Sequence, residues 1–297
     1  MKIGIPRAMT YYYFNNLWIS FFKYLNVDIV ISPLTNKKIL KKGSSLLNDE
    51  TCLSFKIYMG HIDYLINKVD YVLVPRIDNY GYKNQTCTNF LSFYDISSNI
   101  FKDKIITYNI DYESKETERK SLIDLGIRLG FGKKEVKRAY INSKLKEISL
   151  RKIMVLENIS KLNSSNKKIL IVSHPYNTYD NLIGKRIIEM IDKDIDIIYS
   201  DLFDSKKVLK KAKELSHSLY WKYNKEIIGS IKLCEDKIDG IIFLSSFPCG
   251  PDSIVNELVM RKINLPYLNL VIDDLDSFSG IETRIESFID ILGDKND

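Results

Sequence analysis

Three of the four cysteines occupy the same kind of position. Cys52 in NDETCLSFK and Cys87 in NQTCTNF each precede an apolar run that reads as a helix, and Cys249 in FLSSFPCGPDS falls where a greasy strand stops and the helix DSIVNELVMRK begins. A thiol beside a helix N-terminus meets the positive end of the helix dipole, which favours the thiolate. A thiolate there is a metal ligand or a nucleophile. The third reading is an apolar filler, because unbridged cysteine is among the most buried residue types. The spacing of positions 52, 87 and 249 matches no linear zinc or ferredoxin signature. On spacing alone, a three-cysteine metal site and three unrelated buried thiols both stand. Cys234 lies inside the amphipathic stretch IIGSIKLCEDKI and reads as a core or boundary residue.

Other polar residues recur directly after strand-like runs: Arg7 in IPRA, Arg76 in VPRIDNYG, His174 in SHPYNTYD, Gly250 and Asp252 in PCGPD, and the loop DDLDSFSG. In parallel sheets such loops share the carboxyl edge, where open α/β folds bind ligands. Polar, turn-rich βα loops are also ordinary connectors, but five of them carrying Cys, His, Arg and Asp together point to a shared site. His174 is placed to hydrogen-bond a ligand or a cluster sulfur. His61, within YMGHIDYL, reads as a hydrogen-bonded structural histidine, and His217 as a surface residue.

The elements that must position these residues alternate. MKIGIP, VDIVISP, VDYVLVP and DKIITYNI read as strands separated by the helices YYYFNNLWISFFKYLN and SFKIYMGHIDYLIN, with a loop before the second helix. After a charged helical stretch ending in NSSNKK, a second alternation runs through KILIVS, IDIIYS, GIIFLSS and LPYLNLVID. Strands alternating with helices give βαβ units and parallel sheets. The expected fold is α/β, with two Rossmann-like lobes, parallel-sheeted, joined by a helical segment. The N-terminal lobe is expected over residues 1–112, the connecting segment over 113–166 and the C-terminal lobe over 167–297.

Composition narrows the function. A 297-residue chain with 45% hydrophobic and 28% charged residues is that of a globular protein. Its net charge of +6 is spread along helical segments rather than gathered in a stripe, so nucleic acid is not an expected partner. No apolar run is long enough to span a membrane, the start lacks the apolar core of a signal peptide, and widely spaced cysteines argue against a disulfide framework. The expected location is the cytoplasm. Phosphate-loop, GxGxxG, HExxH and GxSxG motifs are absent from the sequence, which argues against an ATPase or a simple dehydrogenase.

Taken in order, IGIPRAMTYYYFNNLWISFFKYLNVDIVIS, ETCLSFKIYMGHIDYL, VDYVLVPR, HPYNTYD, DGIIFLSSFPCGPDS and LPYLNLVIDDLDSFSGIETRIESFID resemble the 2-hydroxyacyl-CoA dehydratase-like family, and within it the short, acyl-CoA dehydratase activase-related branch without an ATPase domain. The resemblance implies two Rossmann-like lobes with a [4Fe–4S] cluster held by cysteines from separate loops, here Cys52, Cys87 and Cys249. Arg7, Arg76, His174, Gly250 and Asp252 would then surround the cluster or its ligand. Gly250 would let the backbone pass close without a Cβ, Pro251 would suit the first turn of the following helix, and Asp252 would cap that helix. Three thiolates leave one iron open as a Lewis acid and one-electron carrier.

In true dehydratases of this family a partner ATPase injects one electron to drive a ketyl-radical elimination of water. The resemblance therefore implies a separate ATP-dependent activator protein, a small acyl-CoA-type substrate and a homo- or heterodimer. Low-potential electron transfer without catalysis is the alternative within the family, and a zinc-bound or metal-free ligand-binding module the alternative outside it. Two departures mark this chain. Arg76 stands where long relatives carry a cysteine, which argues against a larger double-cubane cluster, and Thr88 replaces the usual proline after the second cysteine.

Overall fold

The computed structural model describes residues 1–273 and 279–293. The chain divides into two compact units, one of residues 1–151 with 220–222, the other of 152–219 with 223–297. Each is built on a four-stranded parallel sheet, the α/β architecture expected.

The first unit contains β1 (Lys2–Ile5), α1 (Tyr11–Tyr24), β2 (Asp28–Ile31), α2 (Lys37–Ser44), α3 (Leu53–Ile66), β3 (Tyr71–Leu73), β4 (Arg76–Asn79), α4 (Thr88–Phe101), β5 (Ile105–Ile106), β6 (Asn109–Asp111), α5 (Glu118–Arg128) and the start of α6 (Lys133–Leu162). Its main sheet has the order β2-β1-β3-β5. The chain lays β2 on one side of β1 and β3 on the other, which opens a crevice at the carboxyl ends of β1 and β3. α1 buries Phe14, Leu17, Trp18, Phe21 and Phe22 at helical spacing, and Trp18 Nε1 donates to Tyr108 Oη at 2.8 Å in the core. α3 is buried along most of its length. It meets α4 through Phe93, whose ring centroid lies 4.9 Å from those of both Phe55 and Tyr58.

Two local readings change. The stretch expected as a loop before α3 contains α2, started by Asn36, whose Oδ1 accepts from the amides of Lys38 and Ile39. α2 lies backbone to backbone on α3: a Cβ on Gly43 would fall 1.7 Å from the Lys56 carbonyl, and one on Gly60 2.0 Å from the Ile39 carbonyl. DKIITYNI, expected as a single strand, is β5 and β6, and β6 pairs in parallel with β4. Pro75 explains the division. Val74 N donates to Ile106 O and Arg76 N to Tyr108 O, but proline between them has no N–H to give the ladder. Next to this small sheet, Gln85 bridges Asn79 on one side and Trp221 on the other, and Lys222 N donates to Gln85 O at 2.9 Å. The chain thus returns to the first unit for three residues.

The second unit continues α6 and adds β7 (Lys167–Val172), α7 (Pro175–Thr178), α8 (Gly184–Glu189), β8 (Ile195–Tyr199), α9 (Ser205–Leu215), α10 (Lys222–Cys234), β9 (Gly240–Ser246), α11 (Gly250–Met260), β10 (Tyr267–Ile272) and α12 (Ser279–Gly293). Its sheet order is β10-β9-β7-β8, all parallel, with the reversal between β7 and β9. Every residue of β9 is buried, as expected of a central parallel strand covered on both faces.

Candidate functional site

Cys52, Cys87 and Cys249 are each the residue immediately before the first turn of a helix: α3, α4 and α11. None of the three caps its helix with its side chain. All four cysteines are thiols rather than disulfides. In the first unit α3 follows α2 and α4 follows β4 of the small sheet, and the Phe55–Phe93 contact packs the start of α3 against α4. Asn89, two residues into α4, donates from Nδ2 to Cys52 Sγ at 3.2 Å. The loop carrying Cys87 is anchored by Thr86, whose N–H donates to Asp78 O at 2.8 Å.

Arg7 follows β1, and Arg76 begins β4 just past β3. Arg7 is fixed by its amide to Ser32 Oγ at 2.8 Å and by Nε to Ser32 O at 3.0 Å, with its guanidinium 5.7 Å from the Tyr11 ring centroid. Ser32 Oγ also bonds His61 Nδ1 at 2.8 Å, and His61 Nε2 bonds Thr35 Oγ1 at 3.0 Å. With both ring nitrogens engaged and no exposed surface, His61 is the structural histidine expected. Burial, helped by the Arg7 charge, lowers its pKa from 6.5 to about 3. Arg76 pairs with Asp95 and lies 5.6 Å from the Tyr94 ring centroid.

In the second unit the loops after β7 and β9 flank the sheet's reversal, and a buried polar network joins them. His174 opens α7. Its ring stacks on Tyr176 with centroids 4.9 Å apart and planes 13° from parallel. Its Nε2 lies 2.9 Å from Asp252 Oδ1, and Asn224 Nδ2 donates to the same oxygen at 2.7 Å. An ionised carboxylate has no proton to give, so Nε2 is the donor.

Asp252 does not cap α11. Cys249 holds the cap position, and Asp252 is the third residue of the helix, turned inward and 2% exposed. Burial alone would raise its pKa. The His174 ring and the hydrogen bonds from His174, Asn224 and Cys249 outweigh burial and hold the carboxyl below its ordinary 3.8. Cys249, at the start of α11, is therefore tied through Asp252 to the loop after β7. Pro251 lies in the first turn, as expected. A Cβ on Gly250 would meet no atom within 4 Å, so the protein's own packing does not demand glycine there.

Cys234 behaves differently. It is buried inside α10, donates to Ser230 O at 3.1 Å, and burial followed by the nearby Glu235 charge pushes its pKa up to about 12. His217 is exposed. Of the loop DDLDSFSG, residues 274–278 lie outside the described residues. Within neither unit, among the described residues, do three or more His, Cys, Asp or Glu side chains gather into a metal-binding group. The candidate ligands divide two and one between the units. Asn89 and Asn224 went unnoticed in the sequence. Asn224 carries a readable signal, as a polar residue on the face of α10 that buries Tyr223, Ile227 and Ile231.

No helix among the described residues is long and apolar enough to cross a membrane. Among solved structures, the chain is similar to the SBP FpvC of Pseudomonas aeruginosa in complex with Mn2+, at 10% identity and a TM-score of 0.31, covering 99% of this chain and 97% of that one. It is also similar to the C-terminal domain of glucosamine-fructose-6-phosphate aminotransferase from Francisella tularensis, at 13% identity and a TM-score of 0.26, covering 98% and 84%. Likenesses this distant carry no argument here. No curated protein matches the chain. A family model does: the CoA enzyme activase uncharacterised domain matches residues 2–202, about two thirds of the sequence and all of the first unit's sheet. The chain belongs to that family of CoA enzyme activase-related domains.

Proposed function

We propose that Cys52, Cys87 and Cys249 ligate a [4Fe–4S] cluster, and that the protein serves low-potential electron transfer or the reductive dehydration of an acyl-CoA-type substrate, with a separate ATP-dependent activator. The observation that carries this reading is the shared placement of the three thiols. Each stands at a helix N-terminus, Cys87 and Cys249 in a loop that follows a strand and Cys52 in the loop between α2 and α3, whereas the fourth, Cys234, is sealed in a helix with its thiol stabilised as the neutral form. Family membership supports the CoA-linked setting.

The donor chemistry fits. Helix N-termini favour thiolates electrostatically, and the Asn89 amide donates to the Cys52 sulfur. The open space beside Gly250 suits close approach of a bound group to the backbone. When bound, such a cluster supplies one-electron transfer and an iron with an open coordination position. The protein's own groups hold the ligands in place: Asp252 ties the start of α11 to His174 and Asn224, and Asn89 in the first turn of α4 bonds Cys52 at the start of α3. Arg7 puts positive charge at the carboxyl end of β1, suited to an anionic substrate group, while Arg76 is paired with Asp95.

The test is iron and acid-labile sulfide per chain in protein purified without oxygen, with an EPR spectrum after dithionite reduction. About four irons with matching sulfide are expected, the stoichiometry of a [4Fe–4S] cluster. Cys52→Ser, Cys87→Ser and Cys249→Ser should each lower the iron content, and Cys234→Ser should leave it unchanged. Full iron and sulfide in Cys249→Ser, or no iron after reconstitution, would sink the proposal; bound zinc instead would favour a ligand-binding module.

A further inference from the structure

Arg7 is held firmly, yet half of its guanidinium is unused. The residue follows β1 and is half-buried. Its amide bonds Ser32 Oγ, its Nε bonds Ser32 O, and the Tyr11 ring lies against its guanidinium. Ser32 is itself anchored. It extends the β2 ladder by donating its N–H to Ile5 O at 3.2 Å, while its Oγ bonds His61, which in turn bonds Thr35. Thr35, His61 and Ser32 are 2%, 0% and 0% exposed, so this chain of bonds starts in the interior and ends at Arg7. Its inner members carry no charge. His61 stays neutral because burial, then the Arg7 charge, lowers its pKa to about 3.

The outer edge of the guanidinium is left over. Among the described residues, the two terminal nitrogens of Arg7 meet no carboxylate and no carbonyl, and only Nε is engaged. Arginines that serve the fold alone use that edge: Arg76 pairs with Asp95, Arg128 donates from Nη2 to Thr107 O, and Arg284 from Nη2 to Asn269 O. α1, whose first residue is Tyr11, has no acidic residue in its first turn to balance the Arg7 charge. Two free terminal N–H groups in one plane match two oxygens of a carboxylate or phosphate. With Nε fixed in advance, little freedom is lost when an anion arrives. The turn that delivers Arg7 also holds Met9, buried and not glycine, at φ 46°, a strained conformation of the kind that collects at ligand clamps.

We infer that Arg7 is an oxyanion clamp: its two terminal nitrogens grip a carboxylate or phosphate group of a small-molecule ligand at the carboxyl end of β1, and Thr35, His61 and Ser32 are positioning residues that hold it there. All of these residues belong to the first unit, so the clamp is independent of the cluster. It rests on the acyl-CoA reading only for the identity of the ligand.

Phenylglyoxal, which modifies free guanidinium groups, tests this in the full chain, with peptide mapping to read Arg7 against the exposed Arg119. Inorganic phosphate, acetate and coenzyme A are compared as protectants at matched ionic strength, so that screening is equal. At least one should slow modification of Arg7 by about tenfold or more, the worth of a charge-assisted pair, and leave Arg119 unchanged. Protection by phosphate alone marks the gripped group as a phosphate, and by acetate alone as a carboxylate. In isothermal titration with the protecting anion, Arg7→Gln should bind at least about tenfold more weakly. Arg7→Lys keeps the charge without the fork and should not restore binding. Ser32→Ala should weaken binding and Ser32→Thr, which keeps the hydroxyl, should restore it, with circular dichroism showing every variant folded. Arg7 is not the clamp if it fails to react, if none of the three anions protects it, or if Arg7→Gln binds the anion as the wild type does. Unchanged binding in Ser32→Ala would overturn the positioning role. The clamp and the acyl-CoA reading fail separately. Protection by phosphate or acetate without binding of coenzyme A would keep the clamp and remove the acyl-CoA identity, whereas coenzyme A binding unchanged in Arg7→Gln would do the reverse.

Discussion

The His174–Asp252 pair should behave as a single energetic unit, and a double-mutant cycle of His174→Ala and Asp252→Asn tests this. Both side chains are almost fully buried, 2.9 Å apart, and Asn224 gives the carboxylate its second bond. His174→Ala leaves a buried carboxylate short of its ring partner and strips the stack on Tyr176. The expected loss is about 3–5 kcal/mol, the range for breaking one side of a buried pair. Asp252→Asn keeps the shape and the bond to Asn224 but gives up the charge, and should cost about 1.5–3 kcal/mol, the worth of a hydrogen bond to a charged group. Once either partner is gone the other's removal should matter less, leaving a coupling of about 2 kcal/mol, some thirtyfold in an opening constant. Tryptophan fluorescence does not report this, because both tryptophans, Trp18 and Trp221, belong to the first unit. Native-state hydrogen exchange read on β7, β9 and α11 peptides does. Effects that simply add, with a coupling under about 0.5 kcal/mol, would refute the claim that these residues tie the two loops together.

Three further outcomes are expected. His61 is neutral in the fold down to a pKa of about 3 against 6.5 unfolded, so between those values the unfolded chain binds the extra proton. The first unit should therefore lose stability as pH falls below about 6.5, at up to about 1.4 kcal/mol per pH unit. Urea midpoints by tryptophan fluorescence should show this slope and lose it in His61→Gln. Gly43→Ala and Gly60→Ala each place a methyl against a backbone carbonyl, so each should destabilise the first unit by about 1–3 kcal/mol or more, seen as a lower thermal midpoint; an unchanged midpoint would contradict the close α2–α3 contact. With iodoacetamide at mildly alkaline pH, peptide mapping should find Cys87 and Cys249, both partly exposed, modified well before Cys234.

The α/β class was legible because each buried strand is a short aliphatic run between polar punctuation, KILIV and GIIFL most plainly, and because the helices between them repeat at helical spacing. The helix-starting position of all three candidate cysteines was legible for the same reason: each stands between a turn and an apolar run. What escaped notice depends on contacts distant in sequence. α2 is polar and short, and its place is fixed by Gly43 meeting Gly60 rather than by an apolar stripe. β4 and β6 pair only because each is the other's neighbour across Pro75. α9 has a clear start signal, Asp204 accepting from Lys207 N at 2.9 Å, but its lysines masked the few buried residues. Asp252 looked like a cap from its place after Gly-Pro. The competing pull came from His174, whose position beside it depends on β7 and β9 being neighbours.

The bridge from Gln85 to Trp221 also sets an order of events during synthesis. Gln85 lies two residues before Cys87, yet its bridge partner Trp221 is made only after residues 152–219 of the second unit have been synthesised. At cellular elongation rates of about 5–20 residues per second, the interval is roughly 7–30 s. Throughout it the Cys87 segment lacks one of the two bridge partners of Gln85. A nascent chain stalled shortly after residue 200 would therefore present this thiol to oxidants or to metal-delivery proteins in a looser setting than the finished protein does, and maturation factors that act co-translationally would have that window in which to work.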